Sequence, residues 1–99
     1  MPGYTRRSVY TEEMNSEFRF RILDVLNNNE EAMTAQQIQE QDIVLRPLSI
    51  QKMSRLLAYL VDMGLVRKGK AKTAGNRMMY KSVSKMLEQG YNVDTREIN

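Results

Sequence analysis

The clearest periodic pattern in the chain lies between Ser49 and Lys68. Ile50, Met53, Leu56, Leu57, Leu60 and Val61 recur at three- and four-residue spacings, which predicts one amphipathic helix with that stripe turned to a core. Gln51, Lys52, Arg55 and Tyr59 fall largely on the opposite side, so the outward face is polar, basic and aromatic. Pro47 precedes the helix, Ser49 is placed to cap its N-terminus and Gly64 to stop its C-terminus. Past that stop, residues 65–68 read as a strand, 69–76 as a loop and 77–83 as the returning strand of a hairpin. Gly69, Gly75 and Asn76 supply the positive φ such a loop needs, and residues 73–76 make a small, flexible tip.

Two helical patterns come earlier. Met14, Phe18, Ile22, Val25 and Leu26 mark a first helix from Thr11 or Ser16 to Leu26. Asn27, Asn28 and Asn29 end it, since asparagine tolerates the left-handed conformation at a helix terminus. Residues 30–33 read as loop. Thr34 then caps a short second helix over residues 35 to about 41, with Gln37 completing a capping box and Ile38 buried. Ser54 and Ala58 are small where this helix should cross the third. The connection over residues 42–48 is long, and Ile43 with Val44 either pairs with the hairpin as a short strand or packs under the turn. A final helix from Val83 or Ser84 to Gln89 turns Met86 and Leu87 inward and stops at Gly90. Residues 1–10 read as a flexible arm, 11–90 as the folded domain and 91–99 as a flexible tail.

The fold class these elements predict is α+β, mainly α: a three-helix core, a β-hairpin and a short C-terminal helix around one apolar centre. The 8 methionines serve as adaptable core filler. Met78 and Met79 are neighbours on a strand and point to opposite faces, so one of them is expected to be exposed or at an interface.

At 99 residues the chain makes one domain, with a core large enough to fold but too small to enclose a deep substrate cavity as well. With Cys 0 and His 0, disulfides, thiolate zinc sites and imidazole chemistry are excluded, and any metal would rest on carboxylates. Glu12 with Glu13 and Glu30 with Glu31 are sequence neighbours near helix ends, where solvation accounts for them better than acid–base work. Gly69 and Gly75 lack the spacing and context of a phosphate-binding loop. A binding module without cofactor is therefore expected rather than an enzyme. No apolar run approaches the roughly 20 residues of a membrane span and no secretory signal is visible, so a cytoplasmic protein without membrane contact is expected.

The net charge of +3 is modest, but it is unevenly distributed. Between Met63 and Leu87 stand Arg67, Lys68, Lys70, Lys72, Arg77, Lys81 and Lys85, with no acidic residue among them. The rest of the chain carries more acidic than basic side chains, so the surplus positive charge belongs to the hairpin region and would attract a polyanion. In isolation such a run also fits a solvated edge strand protected from aggregation.

Residues 56–68, with their Leu-x-x-x-Gly-Leu-Val-x-Lys portion, followed by Gly75-Asn-Arg-Met-Met-Tyr80, resemble the helix, glycine, strand and wing of winged helix-turn-helix regulators, broadly those of the MarR, ArsR and PadR families. By order of elements the resemblance covers about residues 16–87, and the metal site of ArsR-type sensors has no counterpart because it needs cysteine or histidine. It implies that the third helix is a recognition helix whose N-terminal half enters the major groove of duplex DNA. Gln51, Lys52 and Arg55 would meet base edges, Ser49 and Ser54 phosphates, and Tyr59 the backbone or a subunit interface. Lys68, Lys70, Lys72 and Arg77 on the wing would contact phosphates or the minor groove.

The function expected on that resemblance is sequence-specific binding of double-stranded DNA by a small transcription regulator, associated with the nucleoid when bound. A protein-docking module of the same fold, or an architectural or RNA-binding protein, remains open, since fold alone does not separate them. A homodimer would use the first helix or residues 84–98, and Arg6 and Arg7 could touch phosphate from the arm.

Overall fold

The computed structural model describes residues 10–70 and 77–90. Within them the order is α1 (Glu12–Asn27), α2 (Ala35–Glu40), α3 (Ile50–Asp62), β1 (Val66–Lys70), β2 (Met78–Ser82) and α4 (Val83–Glu88), a mostly helical α+β arrangement. Residues 1–9 of the expected arm, the hairpin tip at 71–76 and the tail at 91–99 lie outside the described residues.

Each of these helices starts on a hydroxyl. The side chains of Thr11, Thr34, Ser49 and Ser82 accept N–H bonds from Met14, Gln37, Lys52 and Lys85, satisfying donors that a helix cannot pair internally. At Thr34 the capping box is complete, because the Gln37 side chain accepts the Thr34 N–H at 2.9 Å. The α1 terminus departs from expectation: Asn28 has φ −94° and ψ 5°, not the left-handed conformation. Its neighbour Asn29 closes the helix instead, donating its side-chain amide to the Val25 carbonyl at 2.7 Å and to Gln41 Oε1 at 2.9 Å.

Gly64 ends α3 as the sequence requires. Its φ is +79°, its N–H donates to Val61, and the Leu65 N–H reaches back to Leu60, a Schellman turn that delivers the chain directly into β1. A side chain at Gly64 would meet no neighbour, so the requirement for glycine there is one of backbone conformation. In the antiparallel hairpin, Val66 pairs with Ser82 and Lys70 with Met78. Strand β1 is longer than expected and takes in Gly69 and Lys70.

Residues 30–33 are not simply loop. Met33 and Tyr80 exchange N–H bonds of 2.9 and 2.7 Å, so Met33 forms a one-residue bridge on the free edge of β2, and its side chain is buried. The fold is thereby tied between α1 and α2 as well as through the hairpin.

The core is built by Phe18, Ile22, Val25 and Leu26 from α1, Ile38 from α2, Met53, Leu56, Leu57 and Leu60 from α3, and Val66 from β1. Tyr10, expected in the arm, packs edge-on against Phe18 with ring centroids 5.4 Å apart and belongs to the folded unit. Several apolar positions go the other way. Ile50, in the first turn of α3 before the helix reaches the core, is 50% exposed, and Leu87 on the short α4 is 58% exposed. Ser54 and Ala58 face solvent rather than the α2 crossing. Met78 and Met79 are both half-buried, while Met33, Met53 and Met86 fill the interior and Met14 and Met63 are exposed.

The connection over residues 42–48 is a structured turn. Asp42 Oδ1 accepts the N–H groups of Val44 and Leu45, Leu45 and Leu48 are buried, and Ile43 is exposed, so no strand forms there. Gln39 holds it from inside, donating its buried side-chain amide to the carbonyls of Leu45 at 3.1 Å and Leu48 at 2.7 Å. Gln39→Ala is therefore expected to lower the unfolding free energy by about 1–3 kcal/mol, measured by urea denaturation, whereas Gln36→Ala on the exposed side of α2 should leave it nearly unchanged. Equal midpoints for the two variants would mean that the turn holds itself. Among the described residues no helix is long and apolar enough to cross a membrane.

Candidate nucleic-acid interface

Helix α3 buries Met53, Leu56, Leu57 and Leu60 and so presents the opposite stripe, Gln51, Ser54, Arg55, Ala58 and Asp62, to solvent. Three of the sequence-predicted site residues, Gln51, Ser54 and Arg55, thus share one exposed face at the N-terminal end of the helix. Ser54 and Ala58 keep that face low. A bulkier residue at either position would hold a ligand away from Gln51 and Arg55.

Other candidates are placed differently. Ser49 is exposed, but its hydroxyl oxygen already accepts the Lys52 N–H at 3.0 Å as the helix cap. Lys52, expected on the outward face, turns back to α1: its ammonium donates to Asn15 Oδ1 at 2.6 Å and lies 4.8 Å from the centre of the Tyr10 ring. Burial, followed by repulsion from Arg55 and Arg19, pushes its pKa below the ordinary lysine value. Tyr59 is partly exposed and carries the Arg19 guanidinium 4.1 Å above its ring, a cation–π stack between α1 and α3.

On the hairpin, Lys68 and Lys70 alternate with the half-buried Arg67 and Gly69, so both point to the same exposed side of β1, and Arg77 is exposed just before β2. Lys72 lies outside the described residues. Two of the seven bases in this region serve the fold instead. Lys81 is only 4% exposed and donates its ammonium to the Glu30 carbonyl, and burial holds its pKa below the ordinary value. Lys85 pairs with Glu88 at 3.1 Å and Glu30 at 3.6 Å, its pKa raised chiefly by the bond to Glu88. The outward positive charge of the hairpin is therefore narrower than its composition implied.

Glu30 ties the loop after α1 to α4. It accepts from the Gln89 side chain at 2.9 Å and faces Lys85, and these contacts hold it below the usual carboxylate range. An open cleft of about 360 Å³ beside it is lined by Asn29, Glu30, Glu31, Gln37 and Glu40 among others, so the side next to α2 is acidic.

The residues that sequence reasoning missed are on α1. Glu12, Asn15 and Arg19 stand three and four residues apart and form a polar stripe flush against the apolar one. Such a border stripe faces a neighbouring element rather than bulk water. Here it meets Lys52 and Tyr59 of α3. Comparison of the chain with protein-family models, with curated proteins and with solved structures gave no match in any of the three.

Proposed function

We propose that the chain is a winged-helix protein that binds double-stranded DNA, with α3 as the recognition helix and the β1–β2 hairpin as the wing, in the manner of a small transcription regulator. The observation that carries this reading is the run of exposed, low-relief polar surface from Gln51 through Ser54 and Arg55 to Ala58, continued through the Gly64 turn into a hairpin bearing exposed Lys68, Lys70 and Arg77. The element order, with Met33 bridged to Tyr80 between α1 and α2, supports the winged-helix reading.

On this reading the parts divide the work. Gln51 and Arg55 suit adenine and guanine edges in the major groove by bidentate geometry, Ser54 and Ala58 permit close approach, and the wing lysines add affinity through phosphates without reading sequence. Asp62, at the far end of the same stripe, would be repelled by phosphate and so favours entry by the N-terminal half of α3.

A gel shift with random duplex at low and moderate salt, followed by selection for sequence, tests the proposal. Arg55→Ala is expected to lose about 1–3 kcal/mol on a selected site and to relax preference at one base position, with a smaller loss on random duplex. Equal losses on both would make Arg55 a phosphate contact. A chain that binds duplex but selects no sequence would be architectural, and one that binds none would be a docking module.

A further inference from the structure

We infer that Arg19 and Lys52, beside the base-reading Arg55, form a clamp for a backbone phosphate at the α1–α3 junction, in which the phosphate takes the place of the Glu12 carboxylate on Arg19. The inference rests on the DNA-binding reading and adds to it a contact contributed by α1.

Arg19 is held before any ligand arrives. Its guanidinium stacks on Tyr59 at 4.1 Å, its side chain is 15% exposed, and one of its nitrogens donates to Glu12 at 2.7 Å. Glu12 on the other side of that pair is 77% exposed and is therefore easily displaced, since an exposed ion pair contributes little free energy. A phosphate offers the same two-oxygen geometry to a guanidinium with more charge behind it.

Lys52 is held too, but by neutral groups. Asn15 accepts from its ammonium and the Tyr10 ring lies beside it, and neither cancels its charge. Arg55 stands one helical turn from both Lys52 and Tyr59, at spacings of three and four residues. Three cations thus surround one region in which Glu12 is the opposing charge felt by Lys52. The pKa of Lys52 is depressed first by burial and then by repulsion from Arg55 and Arg19. An anion entering there relieves the repulsion, and Arg55 joins the site to the exposed stripe of α3. The preferred anion is therefore a phosphodiester of a duplex lying along that stripe, rather than a free anion.

The test is a salt titration of random-sequence duplex binding by the full chain. Glu12→Gln is expected to tighten binding about two- to fivefold at low salt, the size of one exposed ion pair. Glu13→Gln, about 100° further round α1, should have a smaller effect. Arg19→Gln should weaken binding and flatten the slope of log K against log salt by about 0.9, one phosphate contact. Arg19→Lys should keep most of the slope, which separates lost charge from lost stacking on Tyr59. Melting curves show whether either variant has unfolded, and for a destabilised Arg19→Gln the Glu12 and Glu13 pair decides alone. Wild-type slope in a folded Arg19→Gln, or equal effects of Glu12→Gln and Glu13→Gln, overturns the clamp while leaving duplex binding intact. A wild-type chain that binds no duplex overturns both readings.

Discussion

Leu57→Ala is expected to lower the unfolding free energy by about 2–5 kcal/mol, a large share of the roughly 5–15 kcal/mol that holds a domain folded. Leu57 is completely buried and Leu60 nearly so, on the stripe of α3 that packs against α1 and α2. Removing its branched end leaves a cavity among rigid helix backbones, where relaxation is limited to side chains. The Leu60 truncation should behave alike. Leu87→Ala is the matched control, because the same chemical deletion on an exposed side chain removes few contacts and should shift the midpoint little. Urea denaturation followed by circular dichroism reads all three. A wild-type midpoint for the α3 variants would mean that the apolar face of this helix is not where the fold puts it.

That control also shows how far the sequence could be read. The helices were legible where the signals are local: the Thr34–Gln37 box, the Ser49 cap, the Gly64 stop and the α3 periodicity all act within a few residues of themselves. Legibility fails where the partner is distant. Nothing near Met33 announces that it pairs with Tyr80, since a bridge of one residue has no period. The burial of Lys81 against the Glu30 carbonyl joins positions 51 apart in the chain, and a charge count over residues 63–87 therefore credits the hairpin with bases that hold α4 and the loop after α1 together.

Helix phase fails at ends for a related reason. Ile50 and Leu87 fit the apolar stripe by spacing, but each stands near a helix end with its side chain exposed. Lys52 was expected on the outward face, and only the packing of α1 shows that Asn15 and Tyr10 draw its ammonium back. Arg19 went unread because a single arginine on a helix has no pattern. Its role depends on Tyr59 arriving from another element.

The largest expected effect on binding follows from this narrowing of the charge. Replacing Lys68, Lys70, Lys72 and Arg77 together by alanine should flatten the salt dependence of duplex binding by about 3.6 in log K against log salt, four phosphate contacts at about 0.9 each. Affinity at moderate salt should fall by orders of magnitude. Circular dichroism should not change, because Lys68, Lys70 and Arg77 are exposed and no side-chain bond to the core is lost with them. Lys81→Ala and Lys85→Ala form the informative contrast. Each removes the same charge from the same basic segment, but from a side chain bonded to Glu30, so each should lower stability while leaving the slope per folded molecule close to wild type. If affinity followed only the number of basic residues in the segment, all these variants would fall on one line of slope against charge removed. If the hairpin is a wing, the four replaced positions should carry most of the slope and the two structural lysines should fall off that line. Unaltered binding by the fourfold variant would remove the hairpin from the mechanism and leave α3 with its α1 clamp as the whole interface.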